Sequence, residues 1–323
     1  MKDNKAIIGV AIFVILLVVG FMAVDFFIGL NRPDRNVYEF NLDKFTEVDS
    51  AMVNYSETSQ FEVDIEKLKA ITVDKDDNIY VAGKNKINIY DKRANLLNEI
   101  NTSTIALSIT VNNEKDIFLG ARDHIEIWNS DGEQKAAWEI INDRVVITSI
   151  AIIESSVFVA DAGNKIVYHY DLDGNLVNEI GRKDSIKGIQ GFVIPSPYFD
   201  LAIGRDDELW VVNSGRHQFE SYDKYGNQKS SWKKTSMTIE GFSGCCNPSN
   251  IGILSNGSFV TSEKGIVRLK VHKPSGEFES VIATPEQFLK GTKGLDITVD
   301  SEDRVIVLDP MQGLVRIFEK NNL

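Results

Sequence analysis

Two cysteines, four histidines and seven prolines are all that these 323 residues contain of those types. Both cysteines stand side by side, as Cys245-Cys246 in the stretch GFSGCCNPSN. Two are too few for a disulfide scaffold, and a chain of this size needs none. Neither C-x-x-C nor C-x-x-C-H occurs, which argues against thioredoxin-like chemistry and covalent haem. There is no biased tract, so no long linker is expected. Positive charge is short as well: 35 Lys and Arg stand against 47 Asp and Glu, a net of −12. Phosphate backbones need a basic surface, so no nucleic acid is expected as a partner. The chain has no G-x-S-x-G, no H-E-x-x-H and no phosphate-cradling loop. Long apolar runs are missing after residue 30, and no sustained helical period follows residue 37.

Before residue 30 the opposite holds. AIIGVAIFVILLVVGFMAV, residues 6–24, contains neither a charge nor a proline. At 1.5 Å per residue it nearly spans a hydrocarbon core about 30 Å thick. The apolar part is longer than the usual core of a signal peptide, and no A-x-A site follows. No cysteine follows it that could carry a lipid. The reading is a short N-terminal tail (1–5), an uncleaved transmembrane signal-anchor (6–30), a linker (31–36) and one domain (37–323). Lys2 and Lys5 before the span nearly balance Arg32 and Arg35 after it. A tiny tail before the span and a large domain after it put the N-terminus in the cytoplasm and the domain outside, on the periplasmic side.

The domain repeats itself. Six segments share one order: an apolar strand, a polar turn, a second apolar strand, a small-residue corner, and a third strand ending in an aromatic. The clearest are AITVDKDDNIYVAGKNKINIYDKRAN from Ala70 and TSIAIIESSVFVADAGNKIVYHYDLDGN from Thr148. The third strands end at Tyr90, Trp128, Tyr170, Tyr222, His272 and Phe318, spaced 38 to 52 residues apart. That is the length of one four-stranded propeller blade. The predicted fold is therefore all-β, a six-bladed β-propeller. A β-sandwich would not repeat this order six times. The last repeat stops after its third strand, so a strand from the N-terminal side, within NVYEFNLDKF or SQFEVDIEKL, is expected to close the ring. PEQFLK reads as a short helix between blades.

The segments ITVDKDDNIYVAG and VFVADAGNKIVYHYDLDGN resemble NHL repeats; ARDHIEIW and SEKGIVRLKVH depart from that pattern at the corner. The resemblance covers about residues 66 to 323. It implies fold more than activity, since similar domains are binding platforms and a few related propellers are metal-dependent lyases or lactonases. The combination GCCNP and TSEKG, within residues 244–265, resembles a bacterial membrane-anchored propeller subfamily, which again implies no activity.

In an antiparallel meander the turns alternate between two rims. Hairpins such as DKDDN and DLDGN fall on one rim. DLDGN resembles the start of a calcium loop but lacks the later Glu, so a turn suffices. Corners and inter-blade links fall on the other rim, which includes Cys245, Cys246, Asn247, Glu263 and Lys264. Propellers commonly use such a variable rim for binding. Asp161, Asn213, Glu263 and Asp309 occupy equivalent corners there, with Arg216 nearby. They are weak candidates for calcium or another divalent metal; no cofactor is predicted. The four histidines, His124, His169, His217 and His272, sit at four different depths and do not converge on a zinc site.

Three readings of the cysteine pair stay open. A vicinal disulfide would be strained, because adjacent Cα atoms lie about 3.8 Å apart, below the usual disulfide span. Metal ligation is disfavoured at this spacing. The third reading is two packed thiols with no chemistry. The functional expectation is a membrane-anchored module that binds a protein or small ligand on this rim. The alternative is a redox accessory or a divalent-metal enzyme, lyase- or lactonase-like, using the same rim.

Overall fold

The computed structural model describes residues 3–30, 45–139, 143–186 and 189–321. Residues 31–44, which hold the expected linker and most of the first candidate for the closing strand, lie outside them. Two units are compact, residues 1–44 and 45–323. The first contains helix α1 (Asp3–Leu30), whose 28 residues include a strongly apolar window, Gly9–Phe26, with Asp25 its one charged residue. At 1.5 Å per residue α1 is about 42 Å long, enough to cross a bilayer.

The second unit is a six-bladed β-propeller. It opens with β1 (Tyr55–Glu62). Blade one is β2 (Ala70–Val73), β3 (Ile79–Ala82), β4 (Lys84–Tyr90) and β5 (Leu96–Ile105). Blade two is β6 (Ser108–Val111), β7 (Ile117–Gly120), β8 (His124–Trp128) and β9 (Gln134–Glu139). Blade three is β10 (Ile147–Ile153), β11 (Ser156–Asp161), β12 (Ile166–Asp171) and β13 (Leu176–Ile180). Blade four is β14 (Leu201–Ile203), β15 (Leu209–Asn213), β16 (Gln218–Tyr222) and β17 (Gln228–Lys233). Blade five is β18 (Asn250–Ile253), β19 (Phe259–Ser262), β20 (Leu269–His272) and β21 (Phe278–Ala283). Blade six has β22 (Asp296–Val299), β23 (Val305–Asp309) and β24 (Leu314–Lys320), with β1 hydrogen-bonded outside β24. The expected helix in PEQFLK is one 3-10 turn, Pro285–Gln287.

The strand composition follows from this packing. Second strands are covered on both faces by neighbouring blades, so they are largely apolar, as in IYVA and the VIVL of β23, and almost wholly buried. Outer strands face solvent; β17 exposes five of its six residues. The core is divided accordingly. Six clusters of buried side chains each lie between two adjacent blades, for example Phe158, Phe199 and Leu209 between blades three and four. Burying each such side chain stabilises the ring by roughly 1.5–3 kcal/mol.

Turns on the hairpin rim are built from Asx residues. Asp171 accepts the backbone N–H groups of Asp173 and Asn175 and the Asn175 side-chain amide, at 2.8 to 3.0 Å. Its oxygens are thus used by the turn, and Gly174 takes the positive φ of 84° that the turn requires. Neighbouring hairpins are also linked. Ser301 donates to Asp77 across the closure, at 2.7 Å, and Lys115 pairs with Asp76 at 2.6 Å.

Candidate functional site

One equivalent position lies at or beside the start of each inner strand, and all but the first of these residues line the central channel. In blade order these are Ala70, Ser108, Ser149, Asp200, Asn250 and Asp296. The polar ones bond to the next blade. Ser149 Oγ accepts Leu201 N–H at 3.2 Å, Asp200 accepts Ile251 N–H at 2.8 Å, and Asp296 accepts Ile71 N–H at 2.9 Å. Asn250 donates from Nδ2 to Asp296 at 3.1 Å. These bonds link blades three to six, and blade six to blade one, around the axis. The two carboxyls have unusual proton affinities. Burial pushes Asp200 up to about 6, against opposing hydrogen bonds from Ser149, Ile251 and Leu201. Burial and then the charge of Asp200 push Asp296 up to about 8.

Above this belt the channel opens on the corner rim as a cavity of about 440 Å³. Its walls are apolar at Pro197, Tyr198, Phe199 and Pro310, its edge carries the amines of Lys69 and Lys293, and its floor is Asp200, Asn250 and Asp296. An apolar pocket with a few convergent polar groups is the usual form of a small-molecule site.

Beside the mouth runs the long link from blade four to blade five, residues 234–249. Phe242 anchors it, fully buried among Phe219, Trp232 and His272. The third strand of blade five holds its backbone. Arg268, just before that strand, and Lys270 and His272 within it alternate in sequence, and all three bond the link. Lys270 Nζ donates to Ile239 O at 3.1 Å and Gly241 O at 2.5 Å. Arg268 Nη2 donates to Thr238 O at 3.5 Å, and His272 Nε2 to Glu240 O at 3.1 Å. Glu263 balances the charge, bonding Arg268 Nε and standing 3.1 Å from Lys270 Nζ. All three charged side chains are buried. Burial lowers Lys270 to about 8 despite Glu263, and burial followed by the Lys270 charge lowers His272 to about 3.

The link carries the cysteines. Cys245 is exposed and Cys246 only 1% exposed, and both thiols are free. Their Sγ atoms lie 3.0 Å apart, too far for a bond of about 2.05 Å and within reach of a thiol hydrogen bond. Asn247 ties the loop to the neighbouring corner: its Oδ1 accepts Lys264 N–H and its Nδ2 donates to Lys264 O, both at 2.9 Å. His217 fixes the other side through Nε2 and Gly244 O, at 2.6 Å. Lys264 Nζ donates to Ser196 Oγ at 3.2 Å and sits 4.2 Å from the centre of the Tyr198 ring. Burial would raise the Cys246 thiol, but hydrogen bonds from Cys245, Ser196 and Lys264, with the Lys264 charge, bring it below its ordinary value. The hydrogen bond to Cys246 raises Cys245.

The structure thus brings Cys245, Cys246, Asn247 and Lys264 together. Glu263 is adjacent in sequence, but its carboxylate turns inward to Arg268 and Lys270. The other corner residues stay apart, each satisfying its own corner. Asp161 accepts N–H groups from Val146, Gly163 and Asn164. Asn213 accepts from Val193 and donates to Glu220. Asp309 accepts from Met311 and Gln312. These four do not form one ligand set, and among the described residues no three His, Cys, Asp or Glu side chains form a group able to hold a metal ion. Arg216 lines a different cavity, with Glu220 and Tyr222. His272 fills the aromatic position of its repeat, as its place in the sequence suggests. Ser196, Tyr198, Asp200, Asp296 and the strap-holding Arg268 and Lys270 were not singled out from the sequence. The alternation of basic and apolar residues in VRLKVH is a signal that marks Arg268 and Lys270.

No family model matches the chain, and no curated protein does. Solved structures do. A catalytically inactive virginiamycin B lyase from Staphylococcus aureus, solved with quinupristin, aligns over 80% of this chain and 82% of its own with a TM-score of 0.56 and 16% identity. A streptogramin B lyase aligns over 84% of this chain and 100% of its own, with a TM-score of 0.56 and 13% identity. The WD40 propeller domain of Doa1 covers 79% of each chain, with a TM-score of 0.55 and 17% identity. What is shared is the fold. At these identities the lyases and the WD40 domain agree on a propeller and differ in what they do.

Proposed function

We propose that this chain is a membrane-tethered, NHL-like propeller, held outside the cytoplasm by α1, that binds a protein or small ligand over the channel mouth and the thiol loop. The observation that carries this reading is Tyr198. Its ring is a wall of the mouth cavity and also the platform under Lys264, which contacts the cysteine loop. The mouth and the loop therefore form one continuous surface. It combines an aromatic, two prolines, exposed amines and a hydrogen-bonding floor, the composition expected of a recognition face. A divalent-metal lyase or lactonase has less support, because the carboxylates at the corners are already hydrogen-bonded within their own blades.

The test is capture of bound material by the tagged full-length chain from its own membranes. Tyr198→Ala combined with Lys293→Glu on the corner rim is expected to abolish capture. Lys75→Glu on the hairpin rim is expected to leave it intact. The opposite pattern would refute the reading.

A further inference from the structure

The arrangement at residues 244–264 is asymmetric in a way that simple packing does not require. One sulfur faces solvent and the other is enclosed. They touch, and the Lys264 amine, hydrogen-bonded to Ser196, helps hold the enclosed thiol below its ordinary proton affinity. We propose that Cys245-Cys246 is a dithiol that reduces a small disulfide in two ordered steps, with Cys245 the outer thiol that meets the disulfide and Cys246 the resolving thiol. This does not depend on what the mouth binds.

Accessibility sets the order. An external disulfide can be attacked only by the exposed Cys245. The Cys245 proton passes to the Cys246 thiolate that it touches, the freed Cys245 sulfur attacks one sulfur of R–S–S–R, the Cys245–S–S–R bond forms, and RS⁻ leaves and takes the proton back from Cys246. Cys246, 3.0 Å away, is already within range to attack Cys245 Sγ. That second attack forms the Cys245–Cys246 bond, breaks the mixed disulfide and releases a second RS⁻. The two protons lost by the cysteines go to the two released thiolates. The disulfide takes up two electrons and the pair gives up two. Lys264 stabilises sulfur anions during this sequence, which favours thiolate at Cys246 without burying an unpaired charge.

The product is a strained ring, because Cα atoms joined by a trans peptide are only about 3.8 Å apart, whereas disulfides prefer at least about 4.4 Å. The 245–246 peptide is trans; the one cis bond among the described residues is Asn247–Pro248. Strained bridges are readily reduced, so the reaction is reversible and the oxidised form reports an oxidising environment. The shared Tyr198–Lys264 contact places this event beside the channel mouth.

The experiment uses the reduced full-length chain in detergent, oxidised glutathione as the probe, and intact-mass analysis over time, with circular dichroism to confirm that each variant is folded. Wild type is expected to end two hydrogens lighter with no lasting adduct. Cys246→Ser should keep one glutathione on Cys245. Cys245→Ser should stay unmodified while folded and react once urea exposes Cys246. Lys264→Met should let the mixed disulfide accumulate, slowing its resolution about tenfold. A wild type that keeps adducts on both cysteines, or a folded Cys245→Ser that reacts as fast as wild type, would overturn the proposal.

Discussion

Asp296, in the last blade of the chain, accepts the backbone N–H of Ile71, in the first, at 2.9 Å. The bond crosses the closure of the ring, on the wall of the channel, between residues 225 positions apart. The same device joins Asp200 to Ile251 two blades earlier. An inner strand has no partner on its channel side, so its N–H groups need acceptors from elsewhere. Polar side chains of the preceding blade supply them.

Two carboxyls in one narrow channel make stability depend on pH. Asp200 is raised to about 6 and Asp296 to about 8, both above their unfolded values. A carboxyl raised on folding gives stability that is fully present below its unfolded pKa and lost as pH rises through its folded pKa. Asp296→Asn keeps an acceptor for Ile71 and removes the ionisation. Thermal unfolding should show wild type losing stability relative to this variant between about pH 4 and pH 8. Melting temperatures that run parallel across that range would contradict the assignment.

The buried ions of blade five predict unequal mutational costs. Among the described residues Glu263 is the one carboxylate paired with both Arg268 and Lys270, which are 1% and 0% exposed. Glu263→Gln leaves two cations without it and should cost about 3–5 kcal/mol in urea unfolding. Lys270→Met removes a costly buried charge but orphans Ile239 O and Gly241 O, for a smaller loss of about 1–3 kcal/mol. Equal costs would mean that Glu263 does not balance the charge of the pair.

His272 should set the acid limit of the same blade. Its folded value of about 3 lies below the unfolded one, so the neutral ring gives stability that is present above about pH 6.5 and lost as pH falls. Burial is the main cause. His272→Phe keeps an aromatic among Trp232, Phe242 and Phe278. Its stability relative to wild type should rise as pH is lowered from about 7.5 to 4.5. A constant difference in melting temperature across that range would contradict it.

Closure by β1 predicts where the chain tolerates truncation. Glu57 and Arg316 form a bidentate pair across β1 and β24, at 3.0 and 2.5 Å. A protein starting at residue 45 should unfold cooperatively. One starting at residue 64 exposes β24 as an edge and should aggregate or lose most of its stability. Similar unfolding curves for the two would contradict the role of β1.

Much of this architecture is legible along the chain because propeller blades are local. Each third strand ends at its aromatic position or within two residues of it, from Tyr90 to Phe318, and Asp171 and Asn175 announce their turn. The site is less legible because its contacts run between blades. Asp200 and Asp296 read as polar residues before short strands; only the ring makes them face one channel. Ser196 and Tyr198 belong to a link before blade four, far in sequence from Lys264. The corner residues Asp161, Asn213 and Asp309 show why equivalence in a repeat does not mean convergence: the same position that could face a ligand is also where a turn needs a cap. Arg268, Lys270 and His272 looked like a departure from the repeat. Their alternation is the imprint of the strap they hold.

The most direct test of the binding face is site-specific photo-crosslinking in the native membrane. A photoreactive amino acid is placed at Lys293 or Met311 on the corner rim, or at Asp131 or Asp173 on the hairpin rim. Adducts of the same discrete species from both corner positions, and none from the hairpin positions, are the predicted result. Adducts confined to the hairpin rim, or spread equally over both rims, would contradict it.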